Sequence, residues 1–339
     1  MSSEQPSRWR PWMGGGGLIW SLIGLLVLLG FNAINSPGFF HLELREGHLY
    51  GTLVDILHQG SKVMLLAIGM TLIIATGGVD LSVGSIMAIA GATAAVLVTK
   101  TTLSFAWVLG LSLGVASLAG AANGALVAWI GIQPIIATLI LMVAGRGIAM
   151  LITDGQIITF EHPALVYLGN GSLLTLPVTI SVVAGLLGIT LAMTRLTAFG
   201  LFLESTGDNQ KAAGFCGVPT SWIKWMVYVF SGLCAGLAGL VATSNIKAAD
   251  SSRVGEMMEL DAIFAVVVGG TALTGGRFSL LGSIVGALLI QTLTTTIYNL
   301  GVPPAVSPVP KAVVIVLVCL IQSERFRAQF SGLRERKRA

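Results

Sequence analysis

Asp80 places a carboxylate in sequence that is otherwise apolar, directly after Gly77-Gly78-Val79 and before Leu81-Ser82. In a hydrocarbon layer such a charge costs at least about 2.5–3.5 kcal/mol, so its position needs a reason. Two are open. Asp80 can touch a solute or a gate on irregular backbone between two helices. Alternatively, Asp80 or Ser82 can accept from the free N–H groups that begin the following helix. Arg146 raises the same question inside another apolar run, with no acidic residue on neighbouring turns. It must pair elsewhere, bind backbone carbonyls or face water. Asn123, Gln133, Thr138 and Gln291 are the remaining polar groups in apolar runs. Hydrogen bonding between helices is their ordinary use; recognising hydroxyls of a solute is the sharper one. The candidate pathway residues are therefore Asp80, Ser82, Asn123, Gln133, Thr138 and Arg146.

Other chemistries lack their residues. There is no GxxxxGK[ST] phosphate loop and no HExxH, so ATP binding of that type and zinc peptidase chemistry have no basis here. His41, His48, His58 and His162 fall in or beside expected loops, and no Ser/His/Asp or Cys/His set emerges. Cys216, Cys234 and Cys319 are widely separated and form no CxxC pair, so neither a metal site nor a disulfide framework is implied.

The elements that position these residues follow from composition. Only 10% of the 339 residues are charged and 54% are hydrophobic, whereas soluble domains carry about 25% charge. A span needs about 20 apolar residues. Runs at roughly 17–34, 59–77, 82–99, 105–130, 134–152, 173–193, 222–243, 260–273, 279–298 and 311–322 meet or approach that length. The expectation is an all-α polytopic membrane protein of about ten transmembrane helices, one transmembrane domain over 1–339. The eighth and tenth runs are short enough to be tilted or half-buried. The run from Gly14 to Ala33 is too long for a signal-peptide core.

Basic residues orient the bundle. Ten crossings from an inside start put Arg8, Arg10, Arg195, Lys211, Lys224, Arg277 and the tail Arg325, Arg327, Arg334, Arg336, Lys337 and Arg338 on one side. Arg45, Lys100, Lys247 and Arg253 fall opposite, diluted by Glu43, Glu46, Asp250, Glu256 and Glu259. Excess Lys and Arg mark the cytoplasmic side. That makes 1–16 a cytoplasmic N-terminus and 323–339 a cytoplasmic tail beside anionic lipid. The basic balance is no nucleic-acid signature.

Thr76-Gly77-Gly78 followed by Gly84-Ser85-Ile86 recurs as Thr274-Gly275-Gly276 followed by Gly282-Ser283-Ile284, 198 residues on. Such repeats mark transporter folds. Ten spans make the copies parallel; an odd number of crossings between them would invert one, and the pattern alone leaves both open. Gly110, Gly114, Gly120 and Gly124 in one run and Gly232, Gly236 and Gly239 in another suit close helix packing in lipid. Trp107, Trp129, Trp222 and Trp225 near run ends suit the interfacial belt. The cytoplasmic loop 194–221 contains Glu204, then a Gly207-Asp208 start, Asn209, an Ala212-Ala213 middle and a Gly217-Val218-Pro219 stop. This reads as one short helix outside the bilayer, a docking element that the bundle itself does not need.

Gly77-Gly78-Val79-Asp80-Leu81-Ser82-Val83-Gly84 resembles the signature of ribose-type ABC sugar permeases. Pro134–Leu139 with Arg146-Gly147, Tyr228–Leu233, Glu259–Ile263, Val268–Thr271 and Thr274–Arg277 resemble it in the same order, from about residue 50 to 323. Ala67–Thr71 and Leu139–Arg146 are most similar to permeases of bacterial galactofuranose importers. The resemblance implies a multi-pass subunit of the bacterial inner membrane carrying a monosaccharide, galactofuranose first and ribose or another pentose or hexose next. It implies a pathway shared with a second permease, expected to be a different chain, and delivery by a periplasmic sugar-binding protein. It also implies energy from a separate ABC ATPase that holds the ATP and magnesium, with no cofactor in this chain. The family's Gly-x-Asn-x-x-Ala-Ala coupling pattern falls on Gly207, Asn209, Ala212 and Ala213. An ion-coupled transporter is the rival, but it would want more intramembrane acids than Asp80. A membrane enzyme is the weaker rival.

Overall fold

The computed structural model describes residues 17–36, 38–45 and 48–322. The expected N-terminal segment 1–16 and basic tail 323–339 lie outside the described residues. The helices are α1 Gly17–Asn35, α2 Thr52–Ala75, α3 Val83–Lys100, α4 Phe105–Ala128, α5 Pro134–Ile152, α6 Pro163–Asn170, α7 Val178–Leu196, α8 Phe199–Asp208, α9 Gln210–Phe215, α10 Thr220–Ile246, α11 Met258–Val268, α12 Leu280–Asn299 and α13 Pro308–Gln322. Short antiparallel ribbons pair β1 (Glu43–Arg45) with β2 (His48–Tyr50), β3 (Ile158–Thr159) with β6 (Ala248–Ala249), and β4 (Ser172–Leu173) with β5 (Leu176–Pro177). The chain order puts all three ribbons at the end opposite α8 and α9.

Among the described residues, eight helices are long and apolar enough to cross a membrane. With the shorter α11 and α13, this accounts for the ten expected runs. α11 has 11 residues, about 17 Å and half a bilayer core. It stops at Val268 because Gly269-Gly270 follow, Gly270 with φ +92°. Two other boundaries differ from hydropathy. α2 begins at Thr52 rather than near 59, because Asp55, His58 and Gln59 make its first turns look like a loop. The sixth run loses its first residues to the β4–β5 hairpin, where Leu174 and Thr175 take φ +51° and +73°.

α2, α3, α10 and α12 form the centre: 61–78% of each apolar window is buried, against 11–28% for α1, α4, α5 and α7. The outer group therefore carries most of the lipid-facing surface. Small residues let the centre close. Any Cβ on Gly120 would overlap the Tyr228 carbonyl and press on Gly232 Cα, so α4 and α10 meet backbone to backbone. Gly110 and Gly114, on the same helix, face open space instead. α1 is fastened to α12 by Asn32 Nδ2 donating to Thr296 Oγ1 at 2.6 Å and to α11 by Ser21 Oγ donating to the Val268 carbonyl.

The repeat is parallel. Gly276 N–H donates to the Ala75 carbonyl at 2.9 Å, so both Thr-Gly-Gly turns lie together at one end of the bundle. α2 and α11 both run into that end, and α3 and α12 both leave it.

Overpacking a closed helix contact costs roughly 1–3 kcal/mol. Gly232→Leu should lower the thermal unfolding midpoint of the detergent-purified protein, and Gly110→Leu should leave it close to wild type.

Candidate functional site

The carboxylate singled out by sequence sits at half depth. Asp80 is fully buried, and Ser231 Oγ, eleven residues into α10, donates to its Oδ2 at 3.3 Å. Eleven residues are about 17 Å of helix. Oδ1 accepts from Ser82 N–H at 2.9 Å and Ser82 Oγ at 2.6 Å. Ser82 Oγ in turn accepts from Asn123 Nδ2 at 2.8 Å. Asp80 thus organises the turn that starts α3 while joining α2, α3, α4 and α10. The capping reading is not met, since Ser82 is the N-cap of α3 without a side-chain cap hydrogen bond; Asp80 accepts from Ser82 itself and reaches across the bundle to Ser231. The knot keeps spare capacity. Asn123 Oδ1 and Tyr228 Oη are buried without a hydrogen-bond partner among the described residues, and Tyr228 Oη lies against Gly78.

Of the other predicted pathway residues, Thr138 joins this turn and two do not. Thr138 is buried and donates to the Pro134 carbonyl at 2.9 Å and to the carbonyl of Val79, beside Asp80, at 3.4 Å. Gln133 is exposed at the start of α5. Arg146 binds carbonyls: its Nη1 donates to Val254 O at 2.6 Å and Ser251 O at 3.2 Å. It thereby holds the irregular segment before α11. Asp250 shapes the same segment by accepting from Ser252 Oγ at 2.6 Å; that hydroxyl holds its carboxyl below the usual range. Gly255 of this segment packs on Gly84, and Glu259 Oε2 points at the same place. The starts of α3 and α11 therefore abut inside the bundle, each with a carboxylate at hand, Asp80 and Glu259. Carboxylates are favoured at helix N-termini.

At the opposite pole, the expected single helix in 194–221 is two. α8 runs straight through Gly207-Asp208, which sequence reads as a start. The break falls at Asn209, whose extended backbone (φ −153°) leaves the helix and whose Oδ1 caps α9 by accepting from Ala212 N–H at 3.0 Å. The bundle uses α8: Leu203 is buried, and Gly207 lies so close to the Ala75 carbonyl and Gly276 nitrogen that a Cβ would overlap both. Glu204 is half-buried, whereas Asp208, Asn209, Ala212 and Gly217 are exposed. Only Ala213 anchors α9 from within, and Phe215 is 93% exposed. Lys224 Nζ donates to Gln210 Oε1 at 2.6 Å and ties α9 to α10. Trp129, Trp222 and Trp225 cluster close by, with ring centres 5.5–5.6 Å apart.

Sequence reading missed further polar and charged residues on the helices of the bundle. Asp55, His58, Gln59 and Lys62 all lie on α2. Asp261 of α11 accepts from Lys311 Nζ of α13 at 2.9 and 3.0 Å, a largely buried pair. The signal was present as spacing: 55, 59 and 62 repeat at helical intervals.

Residues 52–319 match the family described as branched-chain amino acid transport system / permease component. The chain is 50% identical to the galactofuranose transporter permease protein YtfT of Escherichia coli K12, over 93% of this chain and 92% of that one. It is 37% identical to the fructose import permease protein FruF of Bifidobacterium longum, over 95% and 92%. It is 36% identical to the ribose import permease protein RbsC of Escherichia coli K12, over 90% and 93%. No solved structure matches. The chain therefore belongs to the branched-chain amino acid transport system / permease component family, as a transport subunit that crosses the membrane many times.

Proposed function

We propose that this chain is the permease of a bacterial ABC importer that carries a monosaccharide, galactofuranose before other pentoses or hexoses, across the inner membrane. The observation that carries the coupling half is the packing of Gly207 against both Thr-Gly-Gly turns, with α9 exposed beneath. The relatives' sugar substrates support the solute half. ATP and magnesium belong to a separate ATPase that docks on α9 at the cytoplasmic end. Glu204, Gly207, Asp208, Asn209, Ala212, Ala213 and Gly217 form or support that dock. A periplasmic binding protein delivers the sugar, and a second permease, a different chain, completes the pathway.

The route from dock to pathway is short. A push on α9 passes through α8 to the turns at Ala75 and Gly276, which end α2 and precede α12. The Asp80 knot lies at the far end of the first turn and acts as its hinge. Asp80, Ser82 and Asn123 are sealed in this conformation, so their part is gating. The unpartnered Tyr228 hydroxyl and Asn123 carbonyl offer partners to a rearranged turn. That makes a two-state element which both ends of the protein bias. Thr138 and Gln133 set the start of α5, and Arg146 fixes the floor before α11. An ion-coupled route gains nothing from Asp261, which is occupied by Lys311.

Sugar uptake by vesicles containing the purified complex should follow ATP. Uptake driven by an ion gradient without the ATPase would overturn the reading. Gly207→Val or Ala213→Trp should cut sugar-stimulated ATP hydrolysis about tenfold, the scale of an ordinary coupling free energy, with the permease still inserted. Removing the Asp80 acceptor leaves buried donors unmet at about 1–3 kcal/mol each. Asp80→Ala should therefore lower thermal stability, while Asp80→Asn should assemble and transport poorly; normal transport by Asp80→Asn would exclude the hinge.

A further inference from the structure

We infer that the outer half of α2 is the solute-contacting wall of the pathway, with Asp55, Gln59 and Lys62 hydrogen-bonding a polyhydroxylated solute. This rests on the importer reading and adds to it the residues that meet the cargo. From Val63 to Ala75 every position of α2 is buried. Toward its outer end the helix opens along one line: Asp55 and Gln59 are exposed and Lys62 is half-buried. Offsets of four and three residues put them on one face. His58 is turned aside, its Nδ1 3.0 Å from Thr179 Oγ1 of α7, and so fixes how α2 is rotated.

Lipid is no partner for that face. Lys62 is ten residues in from Thr52, about 15 Å along the axis, within a helix long and apolar enough to cross a membrane. Its one hydrogen-bond partner among the described residues is Gln59 Oε1, at 2.7 Å, which leaves two ammonium protons uncommitted. Charged groups on spanning helices face protein or a water-filled cavity. Of the neighbours of α2, the half-length α11 starts inside the bundle beside Gly84 and cannot follow α2 to its outer end.

The residue types select the cargo. A carboxylate accepts, an ammonium donates and an amide does both, which matches hydroxyls that each donate and accept. A branched-chain amino acid would want an apolar wall and two charges close together. Asp55 and Lys62 are seven residues apart, about 10 Å along the helix, far wider than the charges on one α-carbon.

The test uses the full complex in proteoliposomes. Lys62→Met should raise the sugar concentration for half-maximal uptake about tenfold or more, as expected for loss of a charged hydrogen bond. Lys62→Arg should restore part of it, and thermal stability should stay at wild type in both variants, which a purely structural lysine would not allow. Gln59→Cys should react with a membrane-impermeant thiol reagent added outside, and sugar-loaded binding protein should slow the reaction; Leu66→Cys should stay inert. Wild-type uptake by Lys62→Met, or an inert Gln59→Cys in a complex that imports sugar, would overturn the wall alone. Import of an amino acid in place of sugar, with Gln59→Cys still labelled and protected by that solute, would keep the wall and overturn the sugar.

Discussion

Three stretches of backbone meet at the α8–α9 end with no side chain between them: Gly207 of α8, the carbonyl of Ala75, and the nitrogen of Gly276. Peptide groups this close allow no slack, so a displacement of α8 moves the ends of two central helices together. Gly77, Gly275 and Gly276, at φ +76°, +89° and +89°, permit the turns that bring the chain to that point. The parallel repeat, the depth of Asp80 and the register of α2 against α12 all follow from the two turns sharing one place.

Inside a bilayer, irregular backbone survives only where protein or water satisfies it. This chain has such backbone at half depth, before α3 and before α11, and a charged residue from outside the loop or within it ties each piece. Asp80 collects the donors of Ser82 and Ser231. Arg146 collects the carbonyls of Ser251 and Val254. Their signs match the groups they bind: N–H and O–H groups for Asp80, C=O groups for Arg146. The embedded charges therefore belong to the scaffold that lets α3 and the half-length α11 start inside the bundle.

Much of this was legible in the sequence. Runs of apolar residues located the spans because lipid imposes length and hydropathy on each helix separately, and the Thr-Gly-Gly repeat announced the turns. The errors are also physical. Asp55, His58 and Gln59 hid the first turns of α2, since a pathway-facing helix end has the composition of a loop. Gly207-Asp208 looked like a helix start, yet glycine is there for close approach to Ala75 across the sequence, a contact that no local rule can see.

By itself the sequence determined the class of protein, the number and order of membrane runs, the unusual residues Asp80 and Arg146, and a helical segment around Ala212-Ala213 outside the apolar runs. These depend on one stretch of chain at a time and on its transfer from water to hydrocarbon. Only the tertiary structure decided that the repeats run parallel, that Asp80, Ser82 and Asn123 are sealed against one another while Gln133 stands apart, that α8 closes beneath both turns, and that the polar face of α2 stays open. Each of these is a matter of which surfaces meet, and residues about 200 positions apart meet only when every helix competes for the same small volume.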